Sequence, residues 1–252
     1  MGGLMAVVGG DYKKAPSFRP SFFTWMALAM AFFIFAGFSM TYFQPVLTRT
    51  GLSYPPVVHL HGAIFFCWIL LLLIQPVLVN MGNVKLHRSV GTFGIVIASM
   101  LILMGILITI MFAGASANSG IPDYNSLMYL SVNAVVGFAA LFCLAIRNVR
   151  RIENHKRLML SATIFILPPG INRLYMVIWE LAEAPVFWTY LTMDLLVAAI
   201  LVYDWRTLGK ISPISILGAV VVVMPHLMHP LLASSGMYTG VYGFLEGLYY
   251  YR

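Results

Sequence analysis

Charge is what this sequence lacks most. Asp, Glu, Lys and Arg make up 9% of its 252 residues, where a water-soluble domain carries about a quarter, so a water-soluble fold is excluded. Cysteine is nearly absent too. Cys67 and Cys143 are the two present, with no CxxC spacing, which excludes a disulfide scaffold. Several signatures of chemistry are missing: no Walker loop, no nucleophile elbow, no HExxH, no Rossmann fingerprint. A retinal pigment is excluded as well, because the last apolar stretch, Ile214–Ala233, contains no lysine.

What is present is apolar, 61% hydrophobic and 14% aromatic, which also excludes disorder. Roughly 20 apolar helical residues cross a bilayer, and the sequence holds seven such stretches: Phe22–Val46, Val57–Val79, Ser89–Ala113, Leu127–Ile146, Leu158–Trp179, Val186–Tyr203 and Ile214–Ala233. Breakers separate them, at Pro55-Pro56, Asn80 to Asn83, Asn118 to Pro122, Pro185 and Pro213. No alternating pattern of transmembrane strands is found. The expected fold is all-α, a polytopic bundle of seven transmembrane helices over residues 22–234. A cytoplasmic segment, 1–21, precedes it and a short aromatic tail, 235–252, follows on the outer side. The first apolar run is too long for the core of a cleaved signal peptide and is read as a retained span.

Orientation follows from the basic residues. Lys13, Lys14, Arg19, Lys85, Arg88, Arg147, Arg150, Arg151, Lys156, Arg157, Arg206 and Lys210 fall on one side. Arg49, Arg173 and Arg252 fall on the other. The rich side reads as cytoplasmic, which puts the N-terminus inside and the C-terminus outside. The same bias accounts for the net charge of +7 as contact with anionic lipid, so no nucleic-acid partner is expected. The run from Arg147 to Arg157 reads as a cytoplasmic loop.

At 1.5 Å of rise per residue, the polar residues can be placed by depth. Tyr42 and Gln44 close the first span and His59 and His61 open the second. Asn133 lies roughly 10 Å into the fourth, Asn172 and Arg173 roughly 9–11 Å below the outer end of the fifth, Asp194 about 12 Å into the sixth, and His226 and His229 roughly 7–12 Å down the seventh. These groups share the outer half of the bundle, whereas the inner half has little besides Gln75. Ionised groups at such depth face the interior and find partners, so Arg173 and Asp194 are expected to pair. Arg173 also suits an anion clamp for a carboxylate or haem propionate. Pro168-Pro169-Gly170, just below it, is expected to kink the fifth helix.

His226 and His229, three apart, share a helical face. His59 and His61 point to opposite sides of a regular helix, but both turn inward if His59 still lies in the loop after Pro55-Pro56. Together with Asp194, His59, His61, His226 and His229 form a donor set for copper, iron or zinc. Alternatively, His61 with His226 or His229 ligates haem b across the bundle, with Arg173 on a propionate. Tyr42, Gln44, Trp68, Asn133 and Asn172 line the expected pocket. Each histidine taken singly also reads as an interfacial group bonded to a backbone carbonyl. Trp25, Trp179, Trp188, Tyr54 and Tyr249-Tyr250-Tyr251 read as interfacial belts.

Several short stretches carry a likeness: Phe35-Ala36-Gly37-Phe38 with Thr41-Tyr42-Phe43, His59-Leu60-His61-Gly62, Trp68, Gln75 and Leu86-His87-Arg88-Ser89-Val90-Gly91. Further along, His155-Lys156-Arg157-Leu158-Met159, Asn172-Arg173, Tyr203-Asp204-Trp205-Arg206 and His229-Pro230 continue it. In these the chain resembles an uncharacterised family of bacterial seven-span integral membrane proteins. The resemblance implies the same architecture and a bacterial inner membrane, and carries no catalytic role.

Three function classes stay open. The first is a metal- or haem-dependent redox or electron-transfer protein. The second is a carrier or receptor for a small hydrophobic ligand, anionic or quinone-like. The third is a non-catalytic accessory subunit with membrane-protein partners. The topology is directly testable. With Cys67 and Cys143 replaced, Ser119→Cys is expected to react with an impermeant thiol reagent from outside, and Lys210→Cys only from inside. The reverse pattern would invert the bundle.

Overall fold

A computed structural model describes residues 19–50, 54–116, 124–181 and 183–250. Lys13, Lys14, Ser119 and Arg252, with most of the expected N-terminal segment, lie outside the described residues. Ten α-helices make up the described chain, with no strand among them: α1 (Phe22–Phe38), α2 (Gln44–Thr48), α3 (Pro56–Asn80), α4 (Val84–Ser116), α5 (Tyr124–Arg147), α6 (Ile152–Ile164), α7 (Pro168–Ile178), α8 (Val186–Leu208), α9 (Pro213–Leu232) and α10 (Gly236–Tyr250). A five-residue π-helical segment, Ser39–Phe43, joins α1 to α2, so Phe22–Thr48 is one continuous apolar rod. That rod and α3, α4, α5, α8 and α9 are each long and apolar enough to cross a membrane, while α6 and α7 pass that test only together.

The α6–α7 pair bends by 48°. Pro168 and Pro169 lack an amide N–H and disfavour helical geometry just before them. The residues at the break fall back on tighter bonds, Phe165 N–H to Ala162 O, Ile166 N–H to Thr163 O and Leu167 N–H to Ile164 O. The kink expected at Pro168-Pro169-Gly170 is therefore present. The pair nonetheless crosses the bundle as a single span. At one end the Lys156 ammonium sits 4.5 Å from the Phe23 ring, at the start of α1. At the other the Arg173 guanidinium sits 4.6 Å from the Phe38 ring, at the end of α1. Seven spans result.

Contacts between helix ends show the antiparallel order. Phe22 of α1 stacks on Tyr203 of α8 at 4.2 Å, and Asn80 at the end of α3 donates to Thr24 Oγ1. These residues share the end rich in lysine and arginine, called the basic end below. Local chemistry sets the turns there. Ser21 caps α1, Gly82 with a φ of 75° closes α3, and Asn83 Oδ1 accepts the Leu86 N–H to open α4. The Gln75 amide, oriented by its hydrogen bonds, meets His87 Nδ1 across the α3–α4 turn.

The main core is an apolar cluster of α1, α3, α4, α5, α6, α7, α8 and α9 side chains, among them Met30, Ile34, Ile69, Phe138, Leu158, Leu167 and Val197, and a smaller cluster joins Ala113, Met128 and Tyr242. Mid-helix apolar residues such as Phe32, Phe93, Leu103, Leu195 and Leu227 are instead exposed, as suits a lipid-facing surface. A glycine pair brings α1 and α7 into backbone contact. A Cβ at Gly170 would lie 2.9 Å from Phe33 O, and one at Gly37 would collide with the Gly170 carbonyl.

The basic end departs from expectation. Arg157, expected in a solvated loop, lies on α6 and is 1% exposed. Its Nε donates to Asp204 Oδ1 at 2.8 Å and its Nη1 to Glu153 O at 2.8 Å. Asp204, at the end of α8, also accepts from Ser215 Oγ and the Ser212 N–H of α9. The network ties α6, α8 and α9 together. Its sequence trace was Asp204, an acid at the end of a span whose neighbouring loops are basic. The expected aromatic tail departs as well: α10 is a helix packed along α4. Tyr250 Oη donates to Gly114 O, Tyr242 Oη to Asn125 O, and Tyr124 Oη to Glu246 Oε1.

Breaking the Arg157–Asp204 pair from one side leaves a buried charge without its partner. Arg157→Met or Asp204→Leu alone is expected to cost roughly 3–5 kcal/mol, read as loss of folded protein in a denaturant titration in detergent. The double variant is expected to be milder than the sum of the two.

Candidate functional site

The far end of the bundle, opposite the basic end, holds the residues expected to form one site. They fall into two groups, on either side of α7.

The first group is built by α5, α8 and α9. His226 Nδ1 and Asp194 Oδ1 are 2.8 Å apart, so Asp194 meets His226 and not the expected Arg173. α9 stays helical through Pro225 and Pro230, and His226 and His229 accordingly share a face, each 9% exposed. Tyr190 stacks on His226 at 4.0 Å and meets His229 edge-on at 5.4 Å. Tyr129 stacks on His229 at 4.8 Å and donates its hydroxyl to Pro225 O at 2.8 Å. Asn133 donates to Tyr129 O and lies 3.4 Å from Tyr238 Oη of α10. A narrow cleft lined by Tyr129, Asn133, Phe165, Pro168, Tyr190 and His226 opens beside the pair, with room for little more than a single water molecule. Asp194 is 34% exposed along its side chain, so the pair is also reachable from the bundle surface. Sequence reasoning missed Tyr129 and Tyr190. The available signal was helical spacing: Tyr190 lies one turn from Asp194, and Tyr129 one turn from Asn133.

The second group lies between the end of α1, the start of α3 and α7. Tyr42, on the π-helical segment, has its hydroxyl 2.6 Å from His59 Nδ1. Pro45 has no N–H to return to the Thr41 carbonyl four residues back, and Tyr54 Oη donates there instead, at 3.4 Å. α3 begins at Pro56, so His59 and His61 are both helical and diverge; the inward turn of both is not adopted. His59 is exposed. His61 is half-buried, with Nδ1 sealed from solvent and lacking a hydrogen-bond partner. Arg173 lies over Phe38 and within electrostatic reach of His61 and Tyr54.

The remaining pocket residues are elsewhere. Gln44 is exposed on α2. Trp68 is buried in the core, edge-on to Phe138 and Phe142. Asn172 points to α8, where Oδ1 accepts from Thr189 Oγ1.

The expected metal set of His59, His61, His226, His229 and Asp194 is therefore not assembled. A transition metal takes three or more protein donors at one point. Among the described residues, no three His, Cys, Asp or Glu side chains are placed to hold one. A porphyrin fits no better, since the cleft beside His226 is about the size of a water. Protein-family models, curated proteins and solved structures offer no match to this chain. The likeness to a bacterial seven-span family thus rests on its short motifs alone.

Proposed function

We propose that this multi-pass protein is a carrier or receptor for a small lipid-soluble molecule with an acidic hydroxyl, quinol-like in chemistry, and that Asp194 and His226 accept its proton. The Asp194–His226 hydrogen bond at 2.8 Å carries this reading. With Nδ1–H donated to the carboxylate, Nε2 is the acceptor, and the imidazolium formed by proton uptake has its counter-ion in place. Tyr190, stacked on the ring, holds the imidazole's orientation. The cleft beside the pair, about the size of one water, admits the ligand's hydroxyl and leaves its ring on the bundle surface near Asp194. Approach from the bilayer suits the partial exposure of Asp194. In this reading, the positive-inside bias puts the site in the outer half of the membrane.

The reading predicts a binding defect in defined variants. In lipid nanodiscs, a short-chain benzoquinol is expected to bind with quenching of intrinsic tryptophan fluorescence. Asp194→Asn and His226→Gln should each weaken binding about ten-fold or more, since a hydrogen bond to a charged group is worth roughly 1.5–3 kcal/mol. Equal binding by the variants, or none by the wild type, would refute the assignment.

A further inference from the structure

Arg173 is a cation inside an apolar span, and the chain does not neutralise it. Of its five N–H donors, the structure occupies Nη1 with the Pro169 carbonyl of its own helix, at 3.0 Å. The face of the guanidinium lies on Phe38, which gives weak electrostatic attraction but no acceptor. Among the described residues, the ion pairs are Lys156–Glu153, Arg157–Glu153, Arg157–Asp204 and His226–Asp194, and none includes Arg173. Asp194, expected to be its partner, is taken by His226.

An unpaired guanidinium within a membrane span costs at least a few kcal/mol, and Arg173 is half-buried. The helix that carries it is held in place. The Gly37–Gly170 contact fixes α7 against α1 one turn below Arg173, and Phe38, next to Gly37, packs edge-on to Phe66 of α3 at 5.8 Å. A second polar atom is orphaned close by: His61 Nδ1, within the electrostatic reach of Arg173. Gly62, beside His61, leaves the Tyr42 hydroxyl uncrowded, since even an added Cβ would stay 3.9 Å from it. A fixed cation and an unsatisfied imidazole nitrogen, supplied by two different helices, lack the same thing, which is an oxyanion with several acceptor oxygens.

The geometry points to a phosphate-binding site at Arg173 and His61, at the far end of the bundle between α1, α3 and α7. A phosphate supplies the missing negative charge, accepts the bidentate fork of the guanidinium and has oxygens left for His61 Nδ1–H. Two sources carry this chemistry, the headgroup of a phospholipid in the adjacent leaflet and free inorganic phosphate. The site is built from other residues than the Asp194–His226 pair and does not depend on the role of that pair.

The test is thermal unfolding of the full chain in nanodiscs of galactosyl diacylglycerol, which has no phosphate, against nanodiscs of phosphatidylglycerol. A second arm adds inorganic phosphate to the galactolipid discs. Wild type is expected to melt several degrees higher with phosphate in one of these forms, and Arg173→Gln to show no such shift. Arg173→Lys, which keeps the charge but loses the fork, should bind at least ten-fold more weakly than wild type. Stabilisation by phosphatidylglycerol alone identifies a lipid headgroup; stabilisation by inorganic phosphate in galactolipid identifies the free ion. Without phosphate, Arg173→Gln should melt no lower than wild type, because it removes a charge that has no partner. If it melts lower or fails to fold, Arg173 is a structural residue and the proposal falls. Equal shifts in wild type and Arg173→Gln overturn it as well.

Discussion

Two carbonyls and two missing side chains fix the far half of this molecule. α1 and α7 approach until Gly37 meets the Gly170 carbonyl and Gly170 meets the Phe33 carbonyl. At that distance van der Waals packing, not a hydrophobic driving force, holds helices together in lipid. Pro168 and Pro169 begin α7 at the one place where this approach is possible, so the bend and the contact belong together. From α7, successive side chains then reach opposite ways. Asn172 goes to Thr189 on α8, Arg173 to Phe38 on α1, and Pro168 forms part of the wall beside His226. Arg173 takes its position from this short helix, which also gives the cleft beside His226 part of its wall.

That helix also explains why one expected site became two. Depth along a span can be counted from sequence, and Asn133, Asp194, His226 and His229 do come together. Azimuth around the bundle cannot be counted in the same way. It depends on crossing angles and on which helices adjoin, and α7 lies between α1 on one side and α8 on the other. Equal depth is not a shared cavity, and among the described residues no three of these side chains are placed to hold one metal.

Elsewhere the sequence was legible where the physics is local. Apolar length located every span to within a few residues, and Pro168-Pro169 located the bend. The larger boundary differences lie at the basic end, where α4 starts at Val84 and not Ser89, α6 at Ile152 and not Leu158, and α8 runs to Leu208 and not Tyr203, because polar and charged residues there are helical too. Arg157 was illegible for the opposite reason. A basic residue near a helix start satisfies the orientation rule whether solvated or buried. Only the partner, forty-seven positions away at Asp204, distinguishes the two. The helical character of α10 was hidden by glycines at 236, 240, 243 and 247, which lower its helix propensity. The surface it packs on supplies what the local sequence does not.

α4 runs for 33 residues, about 50 Å, whereas the hydrocarbon of a bilayer is about 30 Å thick. Its surplus at the far end is apolar, and α10 sheathes it there, with Tyr249 against Gly114 and Tyr242 buried between the helices. The chain thus brings its own cover for a helix longer than its solvent is thick. In a thick membrane lipid can wet more of that surface; in a thin one α10 alone shields it. Hydrophobic mismatch, which other helices relieve by tilting, can here be met by the fifteen-residue α10, which covers part of the surplus.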